Sequence, residues 1–234
     1  MFPAVRTRLV FITPLLTLVL AACGGGGSNS SSTTSTPTTA SAAADTARAQ
    51  KLVFVQGDFP AGWTSSPRTP DTPEDKANNQ ALSACVGTSG DAGHSADVKG
   101  NDFSQGPATQ VGSEAQIVKD EATYRSDVAA IQSPKLQPCL KDFLTKAVTK
   151  AAGSPPTSVQ ISTLPVPSFG DATVGLRLTV GITAQGQSAT LYLDAVLMGR
   201  NRAEVTSTYS NLGSPFDAAT ETTLLKKLGA KLTA

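Results

Sequence analysis

Hydrophobic and polar positions change their rhythm along this chain. An apolar stretch runs from Leu9 to Leu20, and a run of Gly, Ser and Thr without periodicity follows it. Helical spacing then prevails to about residue 153, and strict alternation takes over from Val159. Thr72 is placed as an N-cap with Pro73 at the first helical position, which predicts a helix to about Cys85. A polar loop is expected from Gly87 to Asp102 and a strand over 108–118. Tyr124, Val128 and Ile131 share one face of a helix predicted over Glu121–Ile131. Ser133-Pro134 opens a stronger helix, in which Leu136, Leu140, Phe143, Leu144 and Val148 recur at helical spacing. Gly153 ends it, and Pro155-Pro156 forbids continuation. Residues 45–56 read equally as a lead-in helix or a short strand.

In the second half Val174, Leu176, Leu178, Val180 and Ile182 line one strand face, opposite Gly175, Arg177, Thr179 and Gly181. Turns at Gln185-Gly186 and Gly199-Arg200-Asn201 lead to two further strands, through Ala189–Leu197 and Ala203–Tyr209. Ser214-Pro215 caps a closing helix with Phe216, Leu224, Leu225, Leu228 and Leu232 inward. The expected fold class is α+β: about five antiparallel strands, one face packed on three to four helices.

The N-terminus changes the picture most. Arg6 and Arg8 precede the apolar stretch, which is too short to span a bilayer, where about 20 apolar residues are needed. It ends in Leu20-Ala21-Ala22-Cys23, which resembles a bacterial lipobox. The resemblance implies cleavage before Cys23 and acylation of its thiol; an ordinary signal peptide with a chance Cys is the alternative. The expected layout is a signal peptide over 1–22, the lipidated Cys23 with a flexible tether over 23–50, and one domain over 51–234. Cell-membrane localisation on the extracytoplasmic side follows, with the lipid as the membrane partner.

Removal of the signal peptide leaves 17 basic and 18 acidic side chains. A near-neutral chain with no basic run offers nucleic acid no electrostatic footprint. With Cys23 lipidated, Cys85 and Cys139 remain as an even pair in an oxidising compartment and read as a disulfide, two buried free thiols being the other possibility. Metal is not expected, because His94 is the only His and two distant Cys make no tetrahedral set. No cofactor motif occurs.

For catalysis His94, in the loop GDAGHSAD, would need a nucleophile and an orienting acid delivered by the fold; it reads as a solvated loop residue. Glyco-hydrolytic pairing of Glu114, Asp120 and Glu121 is conceivable, yet they fall where acids cap helices. No catalytic residue is assigned. Trp63, on a Gly/Pro loop, is a candidate contact residue or a core plug, and Arg177 and Tyr192 are candidate binding residues if their sheet face is open.

Five groups of residues carry a resemblance over about residue 52 to the end. They are Asp58-Phe59-Pro60-Ala61-Gly62-Trp63, then Cys85 with Cys139, and Val166-Pro167 with Gly170-Asp171. Leu197-Met198-Gly199-Arg200 and Gly213-Ser214-Pro215-Phe216 complete the set. In this order the chain resembles exported actinobacterial domains, namely small lipoproteins of PsbP-like fold and extracellular sensor domains of membrane serine/threonine kinases. Such sensor domains often carry two disulfides, whereas this chain can make one. The resemblance implies an envelope module for binding or sensing, with no known catalytic residues; an envelope lipid, a glycan fragment or another exported protein is the expected ligand or partner. An envelope hydrolase without a local motif is the alternative.

Overall fold

The computed structural model describes residues 39–234 apart from Gln185. The signal segment, the Cys23 lipidation position and the tether up to residue 38 lie outside the described residues, as does Gln185 of one expected turn.

Helix α1 (Thr39–Lys51) takes the last part of the segment expected as tether over 23–50. Its Ala-rich sequence is a strong helix former, and docking holds it. Ala49 is fully buried, and Asp45 accepts hydrogen bonds from Ser95 Oγ at 2.6 Å and Arg202 Nη2 at 3.0 Å. The folded unit therefore begins before residue 51, and the segment 45–56 is helical as far as Lys51 and irregular from there to a 3-10 turn at Gln56.

The remaining order is β1 (Thr64–Ser66), α2 (Pro73–Val86), β2 (His94–Lys99), β3 (Asp102–Gln105), β4 (Thr109–Val118), α3 (Glu121–Ile131) and α4 (Leu136–Ala152). Then come β5 (Ser158–Thr163), β6 (Ala172–Ala184), β7 (Gln187–Arg200), β8 (Ala203–Leu212) and α5 (Ala218–Thr233). The α+β class holds, but among the described residues the sheet has eight strands rather than about five, and five α-helices accompany it. All pairs are antiparallel, in the order β1-β3-β4-β8-β7-β6-β5, with β2 on the same edge of β4 as β3. The extra strands β1, β2 and β3 are short and polar, and a register shift between His94 and Ala96 breaks any alternation in β2. The expected polar loop over Gly87–Asp102 therefore contains a strand.

Helices cover both sheet faces, where one was expected. On the first face, α1, α5 and the segment around Phe59 bury Ala115, Val196, Val205 and Tyr209. On the second, α2 and α4 bury Leu176, Leu178, Leu193 and Leu197. Burial on both sides explains why β7 carries an uninterrupted buried run from Leu193 to Gly199. Cys85 on α2 and Cys139 on α4 form a disulfide with Cα atoms 5.8 Å apart, tying together the two helices of the second face.

Caps explain the helix starts. Thr72 accepts from the Asp75 amide, as expected. Helix α4 lacks a side-chain cap: its N-cap is Lys135, and Ser133-Pro134 forms the preceding turn. Asp217, not Ser214, caps α5 through the Thr220 amide at 2.8 Å.

Candidate functional site

The sheet register builds one concave site directly. Gln116 on β4 stands opposite Glu204 on β8, Glu204 opposite Gly199 on β7, and Gly199 opposite Ala172 on β6. This cross-strand row forms the floor of a partly enclosed cavity of about 30 Å³. Asp127, Val128 and Ile131 on α3 form its roof, and Thr88, Gly90 and His94 close one side. Two glycines permit the arrangement. A Cβ on Gly93 would overlap Ser89, and a Cβ on Gly199 would lie 2.7 Å from the Tyr124 hydroxyl.

Three titratable groups converge there. One ligand-capable atom from each of His94, Asp127 and Glu204 lies within 4.8 Å of the others. Asp127 is held from behind: the Ser89 amide donates to Oδ1 at 2.6 Å and the Ser89 hydroxyl donates to Oδ2 at 2.5 Å. His94 Nδ1, Glu204 Oε1, Thr88 Oγ1 and the Tyr124 hydroxyl are buried without a partner. Removal from water dominates their protonation. It pushes His94 down to about 4 and, with Asp127 adding repulsion, Glu204 up to about 8. Burial likewise raises Asp127, against the two Ser89 hydrogen bonds that lower it.

His94 is thus the first residue of β2 and half-buried, which corrects its reading as a solvated loop residue. Asp127 and Glu204 were not singled out from sequence. Asp127 lies three residues after Tyr124 and four before Ile131, so the apolar face of α3 carries it inward. That spacing was a legible signal. Glu204 gave none, because its strand face holds Thr206 and Thr208 and resembles a solvated one.

A second polar group sits one step further along the same sheet face. Burial and the neighbouring Asp97 push the Glu114 carboxyl well above its ordinary range. Glu114 accepts from Gln116 Nε2 at 3.0 Å and faces Arg68 Nη1 at 3.5 Å. The three acids considered together in the sequence do not meet. Glu114 is inside β4, Asp120 caps α3 by accepting from the Thr123 amide at 2.7 Å, and Glu121 faces Arg125 at 3.7 Å on the surface.

Trp63 is 6 % exposed and packs at 5.1 Å from Phe59 and 6.2 Å from Phe216, so it plugs the core. Arg177 and Tyr192 do share a face, that of Asp194 and Tyr209. Arg177 clamps Asp194 with two hydrogen bonds at 2.7 and 2.5 Å, while Tyr192 is half-buried between Thr179 and Asn211.

The larger concavity is an open groove of about 460 Å³ where β5 ends and the corner between α3 and α4 overhangs β6. Ile131, Leu136, Leu164, Val166, Val174 and Leu176 supply its apolar walls. Gln132, Ser133 and Gln137 supply polar groups at its lip, and no charged or aromatic side chain lines it. Among the described residues, no helix is long and apolar enough to cross a membrane.

No family model matches the chain, and neither does any curated protein. Solved structures that are similar to it include two from Mycobacterium tuberculosis. The extracellular domain of PknH from Mycobacterium tuberculosis is 12 % identical, with a TM-score of 0.41 over 80 % of this chain and 96 % of that one. LpqN, described as involved in cell envelope biogenesis of Mycobacterium tuberculosis, is 9 % identical, with a TM-score of 0.28 over 74 % of this chain and 76 % of that one.

Proposed function

We propose that this chain is a lipid-anchored extracytoplasmic binding protein whose open groove takes an amphiphile with an apolar chain and an uncharged polar end. The lipobox-like Leu20-Ala21-Ala22-Cys23 supports the location, because it places a membrane anchor ahead of the folded domain. The groove carries the binding reading. Its volume of about 460 Å³ falls in the range of ligand sites, about 300–1,000 Å³. Its branched aliphatic walls suit a hydrocarbon chain, and its amide and hydroxyl lip suits an ester or hydroxyl end. A sugar is disfavoured, because no aromatic ring lines the groove to stack on it. Binding is favoured over hydrolysis because His94 shares a cavity of only about 30 Å³, too small for an organic substrate.

The test is a titration of the full detergent-extracted chain with a fluorescent monoacylglycerol. Saturable binding of one probe per chain is expected, weakened at least tenfold by Gln137→Trp, which changes an exposed residue of the lip. Binding that is non-saturable, or equal in both proteins, overturns the assignment.

A further inference from the structure

We propose that His94, Asp127 and Glu204 form a binding site for one divalent transition-metal ion, Zn²⁺ by its donor set. This site is separate from the groove and stands whether or not the groove binds an amphiphile. Buried donors and acceptors are nearly always paired, and an unpaired one calls for a missing water or ion. Here three such atoms belong to side chains that line one void, His94 Nδ1, Glu204 Oε1 and Thr88 Oγ1, and a fourth lies beside its floor, the hydroxyl of Tyr124, a residue only 4 % exposed. The Tyr124 hydroxyl lies against Gly199, which forms part of the cavity floor.

Size selects the occupant. A cavity of about 30 Å³ accepts one or two water-sized species, since one needs about 10–15 Å³. Geometry then favours an ion. Three atoms no more than 4.8 Å apart have a common centre at most about 2.8 Å from each. Zinc–ligand distances are about 2.0–2.2 Å, so each side chain needs to close by no more than about 0.6–0.8 Å. One imidazole and two carboxylates suit zinc better than calcium or magnesium, which prefer all-oxygen shells. With their protons released to solvent on binding, Asp127 and Glu204 balance a dication, leaving one position for water. The two Ser89 hydrogen bonds fix Asp127 as outer-shell partners fix a metal ligand. Three elements contribute, β2, α3 and β8, so an ion would pin the roof helix to the floor.

The experiment uses the full chain in detergent, stripped with chelator and titrated with Zn²⁺ alone by competition against a chromophoric chelator. One ion per chain is expected, with a rise in Tm on loading. Affinity should fall at least tenfold in His94→Ala and in Glu204→Gln, and stay within twofold in Glu114→Gln. If the ligand variants do not fold, X-ray absorption at the zinc edge of loaded wild-type protein decides. One nitrogen and two carboxylate oxygens at about 2.0–2.2 Å are expected. Absence of binding in folded wild-type protein, equal affinity in all variants, or tighter binding of Ca²⁺ than Zn²⁺ overturns the site.

Discussion

Replacing Glu221 by Gln should stabilise the protein at pH 8 and do little at pH 5. Glu221 lies on α5, 5 % exposed, with Oε1 unpartnered, and faces the Asp194 carboxylate that Arg177 clamps. Burial, then repulsion from Asp194, moves its pKa from 4.5 to about 7 against the opposing pull of Arg177. The folded protein thus holds this proton more tightly than the unfolded chain. That contribution is complete below about pH 4.5, shrinks as pH rises to about 7, and is lost above it. At about 1.4 kcal/mol per pH unit, the interval is worth about 3 kcal/mol at most. Because Arg177 stands at the water-accessible edge of the cluster, its side chain 30 % exposed, we expect about 1–3 kcal/mol. The neutral amide avoids the ionisation, so the variant's advantage over wild type should grow by that amount between pH 5 and 8. Urea unfolding followed by circular dichroism at half-unit pH steps measures it. Two other groups leave this difference untouched because both proteins carry them. Glu204, raised to about 8, lowers stability with rising pH in both. His94, lowered to about 4, raises stability with pH between about 4 and 6.5 in both. A variant less stable than wild type at pH 8, or a difference independent of pH, would refute the reasoning.

Three further outcomes follow from packing and sequence. Trp63→Ala should cost about 3–5 kcal/mol in urea unfolding through loss of its contacts with Phe59 and Phe216, leaving amphiphile affinity in the folded fraction unchanged. Replacing Cys85 and Cys139 together by Ser should cost about 3–4 kcal/mol, because their bridge closes a separation of 54 residues; an unchanged urea midpoint counts against that role. Cys23→Ala should abolish metabolic fatty-acid labelling and membrane association while the thermal midpoint of the domain stays put; retained label contradicts the lipobox reading.

The parts of the fold legible in the sequence are those where one face is apolar and the caps are local. Helix α4 and the meander β6-β7-β8 announce themselves by Leu136, Leu140, Leu144 and by Leu176, Leu178, Val180. Strands β1 to β3 do not, since residues such as Asp97 and Lys99 pair with β4 through backbone bonds that leave no hydrophobic period. The docked helix α1 hid in an Ala-rich stretch that resembled the linker before it. The polar cavity was hidden for a related reason. His94, Asp127 and Glu204 come from elements far apart in the chain and meet only because α3 covers a sheet face whose Thr206 and Thr208 read as solvated. Spacing reveals a site when one helix or loop carries it, and this one is assembled by long-range register.

The most direct test of the central claim, that the groove holds an envelope amphiphile, is the native mass spectrum of the full chain. It should be extracted from its own membrane in mild detergent. One non-covalent adduct per chain is expected, with a fragment mass of an acyl-bearing molecule, present in wild type and absent from Gln137→Trp. A bare folded chain under gentle ionisation, or the same adduct in both proteins, would contradict it.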